Sequence, residues 1–192
     1  MGLNPQNCHQ YRWRASGSEF SYLIFAAKFF LFYYGLDAVK GDEMTTQSVP
    51  HVVLGNKSNY TVAKFGGTSV ANFAAMDHSS KIIVADKSVR IVALSASAGV
   101  TNHLVELCKI NLSEDERQAH INGVLAIQQA ILAELSLDTD LAQGFAQTLA
   151  AFEKLASQTL QTKALHDELL SFGERLSTYL FTQVLRSKGL NA

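Results

Sequence analysis

The sequence predicts an α/β fold, with a parallel sheet at its front and a helix-rich second half. Two patterns predict it. A strand, a helix and a second strand follow one another between Tyr60 and Leu94, and helical periodicity then fills the chain from Ser113 onward. A strand–helix–strand unit of this kind requires its two strands to run parallel. The 192 residues give room for one ordinary domain. Hydrophobic residues at 47% and charged residues at 17% exclude a disordered chain, and two prolines with 12 glycines exclude a collagen-like or low-complexity one. A formal charge of −1 provides no field for nucleic acid. Cys8 and Cys108 are too few and too far apart for a disulfide scaffold or a zinc site, and the six histidines show no HExxH or HxxxH spacing. No protein-ligated metal is expected.

The stretch 1–59 reads as an extension outside this pattern. Ser21 to Leu36 is an almost unbroken apolar and aromatic run with Lys28 in its middle, preceded by Arg12 and Arg14. It is short for a spanning helix, which wants about 20 apolar residues, and lacks the small-residue cleavage site of a signal peptide. A signal anchor, a packed or surface-attached helix, and an extension foreign to the fold compete here. With Arg12 and Arg14 held inside, an anchor would export everything after Leu36, so the third reading is preferred and a membrane role is not expected. Met44 offers an alternative start.

From Tyr60 each element has its own signal. Tyr60 to Phe65 is a β-rich run stopped by Gly66 and Gly67, with Thr68 and Ser69 as candidate helix caps. Val70 to Ala85 carries helical apolar spacing at Val70, Phe73, Ala74, Met76, Ile82 and Ile83. Asp86 to Ser88 reads as a turn and Val89 to Leu94 as the second strand, followed by a small-residue turn, Ser95 to Gly99, and a helix through His103 to Lys109. Ser113 with Glu116 forms a capping box that opens a helix to about Leu135. Asp138 or Thr139 caps the next, with Leu141, Phe145, Leu149, Phe152 and Leu155 at helical spacing. A last helix spans about Ala164 to Lys188 and meets Gly189 where a C-terminal cap belongs. After such a cap a third strand is expected, because two parallel strands do not make a sheet that stands alone. The expectation is the front part of a larger α/β domain, incomplete at Ala192.

The chemistry is expected at the carboxyl ends of the two strands, where open α/β sheets bind ligands. Lys64-Phe65-Gly66-Gly67-Thr68-Ser69 suits a phosphate: glycines allow close backbone approach, a following helix offers free N–H groups, and Lys64 adds positive charge. It is neither a Walker A loop nor GxGxxG. Leu94 to Asn102 supplies hydroxyls at Ser95, Ser97 and Thr101 beside another helix N-terminus, a setting suited to a carboxylate. Gly173 inside a long helix costs about 1 kcal/mol against alanine and so marks a close approach, with Glu174 facing it. Each feature also has a plain structural reading: a tight turn, a capped turn, and a solvated glutamate beside Arg175.

Taken together, KFGGTSVANF (Lys64 to Phe73), LSASAGVTN (Leu94 to Asn102) and DELLSFGERLST (Asp167 to Thr178) resemble the N-terminal half of an aspartokinase kinase domain, of the amino-acid kinase fold. The likeness covers about Tyr60 to Ala192, and its SASAG-VTN segment is more similar to the monofunctional lysine-sensitive class. The resemblance implies ATP-dependent phosphorylation of the side-chain carboxylate of L-aspartate to 4-phospho-L-aspartate, the entry to lysine, threonine and methionine synthesis. It implies a catalytic Lys64, an ATP-phosphate cradle of Lys64, Gly66, Gly67 and Thr68, and aspartate contacts from Ser95, Thr101 and Glu174. It also implies Mg2+ arriving with ATP, a cytoplasmic setting and a homo-oligomer when full length. The family's later substrate arginine, catalytic aspartate, adenine pocket and regulatory ACT domains have no counterpart before Ala192, so the chain alone is expected to turn over little. The alternative is a non-catalytic module, a pseudokinase subunit that binds aspartate or pairs with another chain.

Overall fold

Four strands form one sheet: β1 (His9–Ala15), β2 (Leu23–Ala26), β3 (Ser58–Phe65) and β4 (Val89–Leu94), in the order β1-β3-β4-β2. The computed structural model describes residues 9–15, 23–26 and 58–192, with side chains from Thr61 onward. β3, β4 and β2 run parallel, while β1 pairs antiparallel with β3 from His9 opposite Lys64 to Ala15 opposite Ser58. The sheet is therefore mixed, a parallel core with one antiparallel strand, rather than purely parallel. Two segments of the stretch 1–59 lie in it. Within the aromatic run, Leu23–Ala26 is a strand where a helix was one expectation; four successive apolar residues suit a parallel strand as well as a helix turn. The rest of that run, Lys28 included, and Cys8 and Met44 lie outside the described residues.

The β3–β4 pairing keeps one face apolar by means of a bulge. Thr61 faces Val89 and Val62 faces Ile91, so Arg90 is the extra residue. After that shift Ala63 opposes Val92 and Phe65 opposes Leu94, and all six residues Thr61, Ala63, Phe65, Val89, Val92 and Leu94 are buried. Regular alternation would have put Val89 on the opposite face from Val92.

Among the described residues there are five α-helices, the first between β3 and β4 and the others after β4: α1 (Phe73–Ala85), α2 (Val100–Leu107), α3 (Glu114–Leu132), α4 (Thr139–Ala156) and α5 (Lys163–Ser187). The first begins later than its apolar spacing predicts. Gly67–Val70 is a short 3₁₀ turn, and the cap is Asn72, whose side chain accepts from the Ala75 amide at 2.9 Å; Thr68 and Ser69 do not cap it. Ser113 and Glu116 form the expected reciprocal capping box on α3. Asp138 precedes α4 without a side-chain cap bond; its amide donates to Gln183 Oε1 at 2.8 Å and its carboxylate meets Arg186 on α5. Gly189, at φ +79, ends α5 in a Schellman arrangement in which the Leu190 amide donates back to the Leu185 carbonyl at 3.2 Å.

α5 is the spine of the core. Leu169, Phe172, Leu176, Leu180, Phe181, Val184 and Leu185 are all at most 1% exposed, and the Phe181 ring lies 5.8 Å from that of Phe65 on β3. Its end is tied to α1 by Lys188 on Asp77, an ion pair that with Lys81 holds the Asp77 carboxyl down at about 2.

Candidate functional site

Parallel pairing delivers the carboxyl ends of β3 and β4 to one edge of the sheet, and both candidate loops leave from there. The backbone joins them. The Ser95 amide donates to the Phe65 carbonyl at 3.1 Å, and the Ala98 amide donates to the Gly67 carbonyl at 3.2 Å. A Cβ on Gly67 would stand 2.8 Å from the Ala96 carbonyl oxygen, so this close approach needs glycine. Gly66 is extended (φ −77, ψ 172) and its carbonyl accepts from the Ser69 amide at 2.9 Å, which starts the 3₁₀ turn.

Lys64 is half-buried at the end of β3, and its ammonium nitrogen lies 3.8 Å from where a Cβ on Gly66 would be. The cation thus folds over the glycine turn. It makes no ion pair among the described residues, so its charge is not consumed by a neighbouring carboxylate. Thr68 is exposed on the following turn.

The second loop wraps up to Gly99, whose φ of +88 reverses the chain into α2. Ser95 and Thr101 are half-buried, Thr101 in the first turn of α2. Ser97, between them, is 1% exposed and its hydroxyl has no hydrogen-bond partner among the described residues. The arrangement offers an anion a lysine, glycine amides and hydroxyls at a helix N-terminus, all on one edge.

α5 braces the second loop from below. Ser177 Oγ donates to the Ser95 carbonyl at 2.9 Å and to the Glu174 carbonyl at 3.0 Å. Glu174 stands one turn before Ser177 on α5 and is a buried carboxylate, 4% exposed. The solvated-glutamate reading therefore does not hold. Gly173 marks a close approach, as its position inside a helix predicts, and the approaching groups are protein: a Cβ there would meet Ala96 Cβ at 2.7 Å, Leu104 Cδ1 at 3.1 Å and Val100 Cγ1 at 3.4 Å. Gly173→Ala should accordingly lower stability by about 1–3 kcal/mol through overpacking, read as a reduced urea midpoint; an unchanged midpoint would show that α5 does not press on this loop.

The structure thus brings Lys64, Gly66, Gly67, Ser95 and Thr101 to one edge and anchors Glu174's helix beneath it. Sequence reasoning missed Ser177 as the tether and Ala96 as the contact for two glycines. The small residues of Ser95 to Gly99 were the available signal, since only small side chains admit so close a crossing. An open cleft at the far end of α2, lined in part by Glu106, Lys109, Glu116 and His120, offers less. Lys109 engages Glu106 and the capping box engages Glu116, each lowering that carboxyl's pKa by hydrogen bonding to the charged form. Among the described residues no group of three or more His, Cys, Asp or Glu could hold a metal ion, and no helix is long and apolar enough to cross a membrane.

Comparison with known proteins places these loops in context. The sequence profile of the amino acid kinase family matches residues 59–192. The lysine-sensitive aspartokinase 3 of Escherichia coli is 43% identical over 137 residues, which cover 70% of this chain and 30% of that protein. A Haemophilus influenzae protein, "Putative inactive aspartokinase 3", is 51% identical over 71 residues, covering 37% of this chain and 58% of that one. The crystal structure of E. coli aspartokinase III in complex with aspartate and ADP superposes with a TM-score of 0.61 at 42% identity, over 67% of this chain and 29% of that chain. The chain therefore spans about 30% of the length of the E. coli relative it matches.

Proposed function

Because the chain belongs to the amino acid kinase family, we propose that it supplies the phosphate-cradling and aspartate-facing edge of an aspartate kinase. The reaction is phosphoryl transfer from ATP to the side-chain carboxylate of L-aspartate, giving 4-phospho-L-aspartate, the first step toward lysine, threonine and methionine. The observation that carries this reading is the hydrogen-bonded junction of the two loops, which sets a lysine–glycine turn beside a hydroxyl-bearing one. Its support is the 42% identical crystal structure of E. coli aspartokinase III in complex with aspartate and ADP.

The chemistry asks little covalent work of the protein. A carboxylate oxygen of aspartate attacks the γ-phosphorus, a P–O bond forms, and the bond to the β-phosphate oxygen breaks with its electron pair leaving on ADP. The acceptor is already ionised, so no general base is required. What the site must do is align the two anions and neutralise the charge spread over the transferred phosphoryl oxygens. Lys64 with the Gly66 and Gly67 amides takes that role, and Thr68 extends the phosphate contacts. Ser95 and Thr101 hold the aspartate, and Glu174 receives its ammonium group, which excludes acids lacking the amine. Mg2+, which would arrive held by the nucleotide's phosphates, would supply further neutralisation of their charge beside Lys64. The same reading carries the expectation of a cytoplasmic protein that assembles with further copies of itself when full length.

A second reading, an aspartate-binding module without phosphoryl transfer, is favoured by the H. influenzae relative's name. One experiment separates the two. Residues 59–192 take the place of the matching segment in the E. coli relative, and the purified, folded chimera is assayed for aspartate-dependent ADP release. Turnover within about tenfold of the parent is expected. Aspartate binding without turnover would favour the module, and neither binding nor turnover would sink both readings.

A further inference from the structure

We infer that Ser97 is an anion-contacting residue of this site, whose hydroxyl acquires its hydrogen-bond partner from a bound carboxylate or phosphoryl oxygen. The inference rests on the functional reading above and adds a residue to it.

Ser97 occupies the point where three segments cross. The residue before it turns its carbonyl onto Gly67 and its methyl group onto Gly173 of α5, and the residue after it donates its amide to Gly67. Its own carbonyl accepts from the Val100 amide at 3.1 Å, closing the turn into α2. The backbone of Ser97 is thus held on both sides, and its side chain is 1% exposed. Yet its Oγ has no partner. A buried hydroxyl left unpaired costs free energy that alanine, present at both flanking positions, would avoid. The other hydroxyls on α5's side of the crossing, Ser177 and Thr178, are both satisfied by backbone carbonyls, so the deficit is particular to Ser97.

One torsion separates the sealed hydroxyl from the ligand edge. Serine has three staggered χ1 wells, and the Ala96 carbonyl and Ala98 amide that flank Ser97 already touch the Gly67 turn. In another of those wells the O–H would donate to an anion oxygen held by Lys64 and the glycine amides. A hydrogen bond to an ionised oxygen is roughly twice as strong as a neutral one, so the gain appears only when ligand is present.

The test follows thermal unfolding of the chimera and its Ser97→Ala and Ser97→Cys variants, alone, with L-aspartate and with Mg-ADP. The unsubstituted chimera is expected to be stabilised by ligand in the concentration-dependent way of a native-state binder. Ser97→Ala should unfold at a higher temperature without ligand and bind about tenfold more weakly. Ser97→Cys fills the same space with a poor donor and should lose affinity equally. A loss confined to aspartate identifies a carboxylate partner, and one confined to Mg-ADP a phosphoryl partner. Unchanged affinity in Ser97→Ala, or full affinity in Ser97→Cys, overturns the role of Ser97 while leaving the functional reading intact. An unsubstituted chimera that responds to neither ligand overturns both.

Discussion

Lys64→Ala in the chimera should reduce aspartate-dependent ADP release by roughly 10³-fold, the scale at which removal of one preorganised charge or donor from a developing anion is felt. The thermal midpoint should scarcely move. Lys64 is half-buried at a strand end and neutralises no carboxylate among the described residues, so its loss strands no buried charge. Aspartate affinity should also be nearly preserved, because the hydroxyls of the second loop and α5 are unaltered. A fall in kcat with little change in KM for aspartate separates a transition-state role from simple binding. Lys64→Arg should recover only part of the rate. The guanidinium keeps the charge but spreads it over a planar fork that does not fit over Gly66 as a compact ammonium does. Full activity in Lys64→Ala would remove the lysine from the mechanism.

The parts of this fold that were legible in the sequence are those fixed by local chemistry. Val89–Leu94 is a strand with the bounds its composition gives, Ser113 and Glu116 cap α3 reciprocally, and Gly189 takes the positive φ that a helix stop needs. The start of α1 was misplaced because Val70 continues the apolar spacing. Backward extension fails where the chain must first turn tightly under the second loop, and Asn72 is the better acceptor for an open amide. The strands in 9–15 and 23–26 were not foreseen for a different reason. They pair with partners roughly forty to seventy residues away, and no periodicity within either segment reports a register set by distant neighbours.

The candidate site divides in the same way. Its glycines, lysine and hydroxyls could be named from residue types at strand ends, and the backbone bonds from Ser95 and Ala98 explain why two loops thirty residues apart in sequence share one edge. The brace could not be named. That Ser177 would reach the Ser95 carbonyl, and that Gly173 would admit Ala96, depends on where α5 crosses the sheet, which is decided by core packing around Phe65, Phe172 and Phe181. Function in this arrangement is thus held by contacts whose own residue types look ordinary.

The largest effect on stability is expected from Arg117, an exposed-type residue that the fold has swallowed. It is 3% exposed on α3, and one guanidinium nitrogen donates to the carbonyls of Ala156 at 3.1 Å and Gln158 at 3.0 Å. Both acceptors lie at the C-terminal end of α4, where carbonyls lack partners in the helix and the dipole favours a cation. No carboxylate shares this charge among the ion pairs of the described residues, so the helix end itself is its counter-charge. Arg117→Ala removes both charge-assisted bonds, strands two carbonyls and leaves a void beside Ala156, which is fully buried. These losses together should cost about 3–5 kcal/mol, a large share of an ordinary domain's stability. Arg117→Lys keeps the charge but presents a single ammonium on a different stem, and should recover about half. The measurement is the urea midpoint of both variants against the parent chain. A loss under about 1 kcal/mol in Arg117→Ala would mean that water satisfies those carbonyls as well as the guanidinium does, and that α4 is held by its apolar face alone.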